Sequence, residues 1–550
     1  MLKWAIIMTT LDSKILESMA REMFGNLNSH GSAEDVGILN LSQAPIAEAE
    51  KLGAKSENLK ADPTALNYES IRTSGDSLQG FGLPSFPGGL NTFSQGSNQV
   101  ESFKFLEDIR PDVTDTNKLN IGDPFTFAPS LIEAGSISHG GFNIASVRRD
   151  FPILTEKVNG RNLIWLDNAA TTQKPQSVID RLSYFYEHEN SNIHRAAHTL
   201  AARSTDAYEG ARNKVKSFIN APSVEEIIFV RGATEAINLI ANTLGDKTIG
   251  KGDEVIITWL EHHANIVPWQ MLCAKKEAKL KVVPVDDSGQ IILSEYERLL
   301  TASTKIVSLT HVSNALGTVT PAKQMIEMAH RYGAIVIIDG AQSISHIPID
   351  VQELDCDFFI FSGHKVFAPT GIGVVYGKSQ ILETMPPWQG GGNMIEDVTF
   401  DRTVYQKPPF RFEAGTGNIA DAVGLGAAID YLNNLGMKNV EEYEHSLMEY
   451  ATKKMGTVPG LKMIGTAKDK ASVLSFVLEG HQTESVGKFL SENGIAVRSG
   501  HHCAQPILRR FGYEGTVRPS LALYNTCEDV DALIEALYNL TGGRNTGKYF

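Results

Sequence analysis

Cysteine is scarce in this sequence. Four are present in 550 residues, Cys273, Cys356, Cys503 and Cys527. No two are spaced Cys-x-x-Cys, which excludes a disulfide framework and a thiolate-rich metal site, so free thiols are the natural reading. Positive charge is also short. Fifty Lys and Arg stand against 64 Asp and Glu, a net of −14, which argues against broad contact with nucleic acid or anionic lipid. Long apolar runs are missing, so no segment reads as a membrane span. The stretch Met1–Asp12 has an apolar core too short for a secretory signal and lacks a convincing cleavage site. A cytoplasmic protein is the expectation.

What is present falls into two regions. In the first, Asp12 to Leu27 fits an amphipathic helix, with Leu11, Ile15, Met19 and Met23 four apart and Asp12 as N-cap. After it Ser, Gly, Asn and Asp dominate, and Gly80–Gly96 follows neither the strand nor the helix period. Such a segment cannot bury enough surface to offset its ordering entropy, so residues 1–145 read as a largely disordered extension. Phe81, Phe86, Phe93, Phe125, Phe127 and Phe142 recur between flexible spacers. A loose tail is the plain reading; a set of docking motifs for a partner is the sharper one.

From Phe151 the pattern is α/β. Apolar runs at Glu254–Thr258, Lys281–Val285, Ile306–Thr310, Ala334–Ile338 and Phe358–Phe361 read as strands. Helical segments at Ala264–Leu280 and Ala322–Tyr332 alternate with them, which predicts a mostly parallel sheet covered on both faces. Residues 146–410 are expected to form this large domain, with its N-terminal segment contributing to the second one. Residues 411–550 are expected to form a smaller α+β domain, with helices at Ala420–Leu435 and Val440–Met455, a strand at Ala471–Val477 and a terminal helix from Glu528.

Ligands of parallel sheets bind outside the C-terminal ends of strands, and that is where polar residues gather. His311 and Asn314 follow one strand, Asp339 and Gln342 the next, and Ser362, His364 and Lys365 a third. Each type suits pyridoxal 5′-phosphate (PLP) chemistry. Lys365 at a buried strand end is a Schiff-base candidate, and a carboxylate such as Asp339 keeps a pyridine nitrogen protonated so that the ring acts as an electron sink. An isolated Asp-Gly is otherwise a common turn. Asn314 and Gln342 suit the ring hydroxyl. Arg231-Gly-Ala-Thr234 follows a strand and opens a helix, so the Ala233 and Thr234 N–H groups face a phosphate, with Ser362 and His364 completing the cup. His262, in Glu261-His-His-Ala-Asn, offers a flat imidazole to stack on the ring and shuttle protons. A metal at His262-His263 is disfavoured, because adjacent side chains diverge and no zinc-ligand spacing accompanies them.

Cys503 lies in Arg498-Ser-Gly-His-His-Cys503, after a strand at Gly494–Val497. A lone cysteine is more often a buried small hydrophobe, but positive neighbours favour thiolate. Cys273 and Cys356 sit in apolar contexts and Cys527 beside acids. Arg518, in an apolar setting, is a candidate clamp for a substrate carboxylate.

Leu166-Asp-Asn-Ala-Ala-Thr171, His194-Arg195, Glu261–Gln270, Asp339-Gly-Ala-Gln342, Ser362-Gly-His-Lys365, Arg411–Thr416 and Arg498–Cys503 together resemble group II cysteine desulfurases. These are PLP enzymes of fold type I in the class V aminotransferase superfamily. The resemblance runs in unbroken order from about Phe151 to Gly542. It implies L-cysteine as substrate, Lys365 as the cofactor-bearing lysine, Cys503 as the persulfide carrier, and His194, Asn314, Arg498 and Arg518 as substrate contacts. It also implies a homodimer in which Thr416 reaches the other subunit's cofactor phosphate, a sulfur-acceptor protein, and a place in sulfur metabolism such as iron–sulfur cluster assembly. Selenocysteine is a second candidate substrate. Gly417 departs from the pattern, since many relatives carry proline there. The layout and composition of residues 1–145 are similar to the extensions of desulfurases packaged as cargo in encapsulin shells. The alternatives are a PLP lyase or aminotransferase that makes no persulfide, and a chain that serves mainly as an interaction protein.

Overall fold

A computed structural model of the chain describes residues 143–194 and 197–542. The expected helix at Asp12–Leu27 and the phenylalanine motifs from Phe81 to Phe142 lie outside the described residues. The expected extension reaches residue 145, but its last three residues are folded. The Asn143 side chain accepts from the Ala145 and Ser146 N–H groups and caps a helix over Ile144–Arg149. Arg148 then anchors that helix through Asp529 at 2.8 Å. Order therefore begins before residue 146.

The large sheet has seven strands: β1 (Ile227–Val230), β2 (Glu254–Thr258), β3 (Lys279–Val283), β4 (Thr304–Thr310), β5 (Ile335–Asp339), β6 (Phe358–Ser362) and β7 (Gly373–Gly377). Their spatial order is β1-β7-β6-β5-β4-β2-β3. All pairs from β6 to β3 are parallel, and β7 runs antiparallel to both its neighbours. The strand period of two sends alternate residues into two cores. Val336, Ile338, Phe359 and Phe361 face one, and Ile306, Ile337, Phe358 and Ile360 the other. Both faces are covered, as near-continuous apolar strands require.

Several expected boundaries move for local reasons. The single helix expected over Ala264–Leu280 is one 3-10 turn at His263–Asn265 and then a helix over Val267–Lys276. Glu277 ends that helix in the left-handed conformation, so β3 starts two residues earlier than expected. It also stops before Pro284, which has no N–H for a ladder.

The smaller sheet contains β8 (Leu461–Met463), β9 (Phe476–Leu478), β10 (Arg498–Gly500) and β11 (Thr516–Arg518), in the order β8-β9-β11-β10 and antiparallel throughout. Only the end of the expected Ala471–Val477 strand joins it. Ile495–Ala496 pairs in parallel with Ile164–Trp165 in a separate two-stranded sheet. The division expected at residue 411 falls too early. The helix over Ile419–Leu435 shares the large core with Val178, Phe185, Tyr208 and Val215, while the next helix, Met437–Met455, packs with the small sheet.

One buried charge pair closes the large core from below. Arg212 forks onto Glu413 at 2.7 and 3.0 Å, and Phe229 N–H and the Tyr208 hydroxyl also donate to that carboxylate. Removing one partner of a buried pair leaves an uncompensated charge. Arg212→Met is expected to lower the unfolding free energy by about 3–5 kcal/mol, measured by urea denaturation. A loss below about 1 kcal/mol would mean that the two remaining donors suffice for Glu413.

Candidate active site

Five strands deliver side chains to one pocket. β1 leads to Ala233 and Thr234, β2 to His262, β4 to Asn314, β5 to Asp339 and Gln342, and β6 to Ser362, His364 and Lys365. The small domain closes it with Arg498, His502, Cys503 and Arg518. The cavity has a volume of about 160 Å³.

Lys365 sits in a 3-10 turn over Gly363–Lys365 that follows β6 directly. The turn is held through one carbonyl. His364 O accepts from Thr172 N and Thr171 Oγ1 at 3.0 Å and from Thr172 Oγ1 at 3.2 Å. Phe367, in the left-handed conformation with φ 62°, donates its N–H to Thr172 Oγ1. Burial is the largest influence on the Lys365 amine and brings it down to about 8; Asp339 opposes this, while Arg518 and Arg498 add to it. Asp339 is fully buried and accepts from Ala341 N–H at 3.0 Å. Burial pushes its carboxyl up, and the Ala341 N–H and the Lys365 charge draw it back. Gln342 Oε1 lies 3.5 Å from Lys365 Nζ.

The imidazoles of the site stay uncharged. Burial first, then the Lys365 charge, brings His262 down to about 3 and His364 to about 4. His262 Nδ1 accepts from Ala264 N–H, so the ring proton sits on Nε2. Beneath it, the Glu261 carboxylate accepts from Thr258, Asn265 and Thr310 N–H and ties the ends of β2 and β4 together. Burial pushes this carboxyl up to about 7 against those donors.

Cys503 and His502 both have left-handed backbones, φ 54° and 52°. Non-glycine residues there cost roughly 1–3 kcal/mol each and persist only where the surroundings hold them. Here Cys503 O accepts from His263 N–H at 2.8 Å, His502 O from Asn314 Nδ2 at 2.7 Å, and Cys503 N–H donates to His501 Nδ1.

Arg518 is buried and oriented at both ends. It donates to Asn314 O at 2.8 Å and to Asp167 Oδ1 at 3.1 Å, and Asp167 Oδ2 also takes Arg498. Arg498 and Arg518 are register partners in β10 and β11. Arg518 is brought down to about 10, chiefly by burial, and so keeps its charge. Asp167 and Thr171 lie in the run Leu166–Thr171 and Thr172 follows it; the sequence assigns none of the three a role.

Twelve of the fourteen expected site residues line this pocket, and two lie elsewhere. His194 Nε2–H donates to Glu209 Oε1, 2.9 Å away, and the ring packs edge-on to Phe410. Thr416 lines a separate cavity with Tyr208 and Arg231. The Ala233 N–H is also already engaged, donating to Ser362 Oγ at 2.9 Å.

A model of the aminotransferase class-V family matches residues 164–533. A cysteine desulfurase of Escherichia coli is 48% identical over 400 residues, which cover 72% of this chain and 98% of that protein. The chain belongs to the cysteine desulfurases of the class-V aminotransferase family. A cysteine desulfurase of Synechococcus elongatus is 65% identical over 76% of this chain, and a probable cysteine desulfurase of Mycolicibacterium paratuberculosis 62% identical over 74%. The chain spans 66% and 60% of those two relatives' own lengths. The crystal structure of the E. coli cysteine desulfurase CsdA covers 73% of this chain, and 99% of that chain is matched, with a TM-score of 0.68 and 39% identity.

Enzymes of this family use PLP, and the pocket fits it. Asn314 Oδ1 is buried without a hydrogen-bond partner among the described residues, as is Arg518 Nε. At the phosphate end, a Cβ on Gly373 would stand 2.5 Å from Gly232 Cα, and one on Gly232 would stand 3.1 Å from Ser362 Oγ. These glycines let β7, the turn after β1 and Ser362 pack closely, and the first residues of the helix that starts at Ala233, Ala233 and Thr234, line the pocket, where a helix N-terminus suits a phosphate. Asp339 would hold the ring nitrogen, Lys365 the aldehyde carbon, and Ser362, His364 and Thr234 the phosphate. Lys365 reacts with an aldehyde only when uncharged. Loading of the cofactor-free protein with PLP is therefore expected to speed up about tenfold from pH 7 to pH 9 and then level off, followed by absorbance. A rate still climbing steeply above pH 9 would mean an unperturbed lysine.

Proposed function

We propose that this chain converts L-cysteine to L-alanine and takes up the sulfur as a persulfide on Cys503. The observation that carries this reading is the placement of Cys503, on a strained loop of the small domain, in the pocket that holds Lys365 and Asp339. The substrate carboxylate pairs with Arg518, with Arg498 at the pocket mouth. The bound cofactor supplies an electron sink for the negative charge at Cα. Lys365 Nζ takes the Cα proton and later returns it. His262 presents Nε2–H as a hydrogen-bond donor and stays neutral. The Cys503 thiolate attacks the substrate sulfur. The S–S bond forms as the substrate C–S bond breaks, and the electron pair left on carbon is protonated to complete the alanine methyl group. The terminal sulfur then passes to a thiol of an acceptor protein. Selenocysteine fits the same steps with a weaker bond to carbon.

A homodimer belongs to this reading. Thr416 and His194, both outside their own chain's pocket, would serve the pocket of a second copy. Residues 1–145 would load the enzyme into an encapsulin shell in the cytoplasm, a proposal supported by their composition and layout.

Two substitutions separate the parts. Lys365→Ala is expected to lose the borohydride-reducible PLP–lysine adduct and to lower turnover by at least about 10²-fold. Cys503→Ser is expected to keep the PLP absorption band yet lose alanine formation by about 10²-fold or more. Full alanine output from Cys503→Ser, or pyruvate in place of alanine from the wild type, would favour a lyase or aminotransferase without persulfide chemistry. Deleting residues 1–142 is expected to leave turnover unchanged and to abolish co-assembly with a shell; unchanged co-assembly would remove the docking role.

A further inference from the structure

A line of buried polar groups leads away from Lys365 and ends in the small domain. Gln342 Oε1 faces Lys365 Nζ at 3.5 Å, and Gln342 Nε2 faces His346 Nε2 at 3.4 Å. His346 Nδ1 meets Glu444 Oε2 at 2.6 Å, and the Ser472 hydroxyl donates to the same oxygen at 3.0 Å. The His346 and Glu444 side chains are each 3% exposed. Glu444 lies on the helix Met437–Met455, whereas Gln342 and His346 belong to the turn after β5.

The direction of each bond follows from the far end. A carboxylate accepts, so the ring proton of His346 sits on Nδ1. In the neutral ring Nε2 then offers a lone pair, and the Gln342 amide must turn its NH2 group toward it. That leaves Oε1 facing Lys365, where an acceptor meets an amine. With the other ring tautomer the amide would rotate by half a turn and bring its NH2 group against Nζ, donor against donor. An isolated glutamine amide has no such preference, because its two ends are alike in shape.

We infer that His346 and Glu444 are a positioning pair that sets the orientation of the Gln342 amide beside Lys365 and the cofactor. Burying such a pair costs desolvation, and a well-packed apolar pair of the same size would be no less stable; what the apolar pair would lack is the orientation. The inference rests on the reading of this pocket as the cofactor site.

The test is the pH titration of the cofactor absorption band in the holoenzyme. His346→Phe keeps a ring but removes the acceptor, and is expected to move the midpoint by about half a pH unit or more. kcat should fall several-fold with KM for cysteine little changed. In a Gln342→Ala background the same substitution is expected to move the midpoint no further. Glu444→Leu, which removes the acceptor of Nδ1–H, is a second route should the first variant fail to fold, with the same expected dependence on Gln342. Glu444→Gln retains a carbonyl oxygen for Nδ1–H and is expected to keep the wild-type midpoint. Equal shifts with and without Gln342, or lost thermal stability with an unmoved midpoint, would overturn the inference. A wild-type protein that binds no PLP would instead sink the cofactor reading and leave this one without its object.

Discussion

The site depends on keeping an amine and a carboxyl close together where water does not reach. Asp339 ends β5, and Lys365 follows β6, its parallel neighbour. Burial opposes the charged form of both, and each supports the charge of the other. Around them stand two more cations, Arg498 and Arg518, and one more carboxylate, Asp167. Three positive groups against two negative ones leave the pocket in want of an anion. An amino-acid carboxylate and a phosphate supply what is missing, which is why this charge arrangement favours an anionic cofactor and substrate over a neutral one.

The second half of the site is built on strain and restraint. Two consecutive left-handed residues are an expensive way to shape a loop, and His502-Cys503 has no glycine to relieve them. The loop is tied to the large domain from two sides, by the His263 N–H and by Asn314 Nδ2. Asn314 is therefore shared. Its amide nitrogen holds the cysteine loop, its backbone oxygen holds Arg518, and its side-chain oxygen remains for the cofactor. One residue at the end of β4 links the groups that would bind the ring, the carboxylate and the sulfur.

The strand-end residues were legible from sequence because fully buried parallel strands are short apolar runs, and their C-terminal ends are where the polar residues then begin. Asp339, Ser362 and Lys365 could be placed this way without any long-range information. Long-range pairing left no such trace. Asp167 meets Arg518 across most of the chain, and neither has a periodic pattern that points to the other. His346 and Glu444 sit on elements that look unrelated in sequence. The helix Ile419–Leu435 was assigned to the small domain by its position in the chain. It is apolar nearly all round, with buried residues on every face, so periodicity alone could not say which core it would enter. His194 and Thr416 were singled out through likeness to a family, and the fold of one chain does not bring them to the pocket.

Arg518 shows what the restraint accomplishes. A free arginine offers five N–H groups and loses rotamer entropy when a carboxylate binds it. Here the entropy is already lost. Nη1 is fixed on Asn314 O and Nη2 on Asp167, so the guanidinium plane is set before substrate arrives. Nε and the second protons of both terminal nitrogens stay available. The Asp167 carboxylate also offsets the cost of keeping that cation buried, and it does the same for Arg498 across the β10–β11 pair. A substrate carboxylate would thus enter a pocket whose cations are oriented and partly, not wholly, neutralised. Full neutralisation would weaken the attraction, and none would drive Arg518 out toward water. The cysteine loop hangs from the same β10–β11 connection. In the proposed reaction, fixing Arg518 would therefore also fix the distance between a bound carboxylate and the thiol that is to reach the sulfur, which is where orientation contributes most to rate.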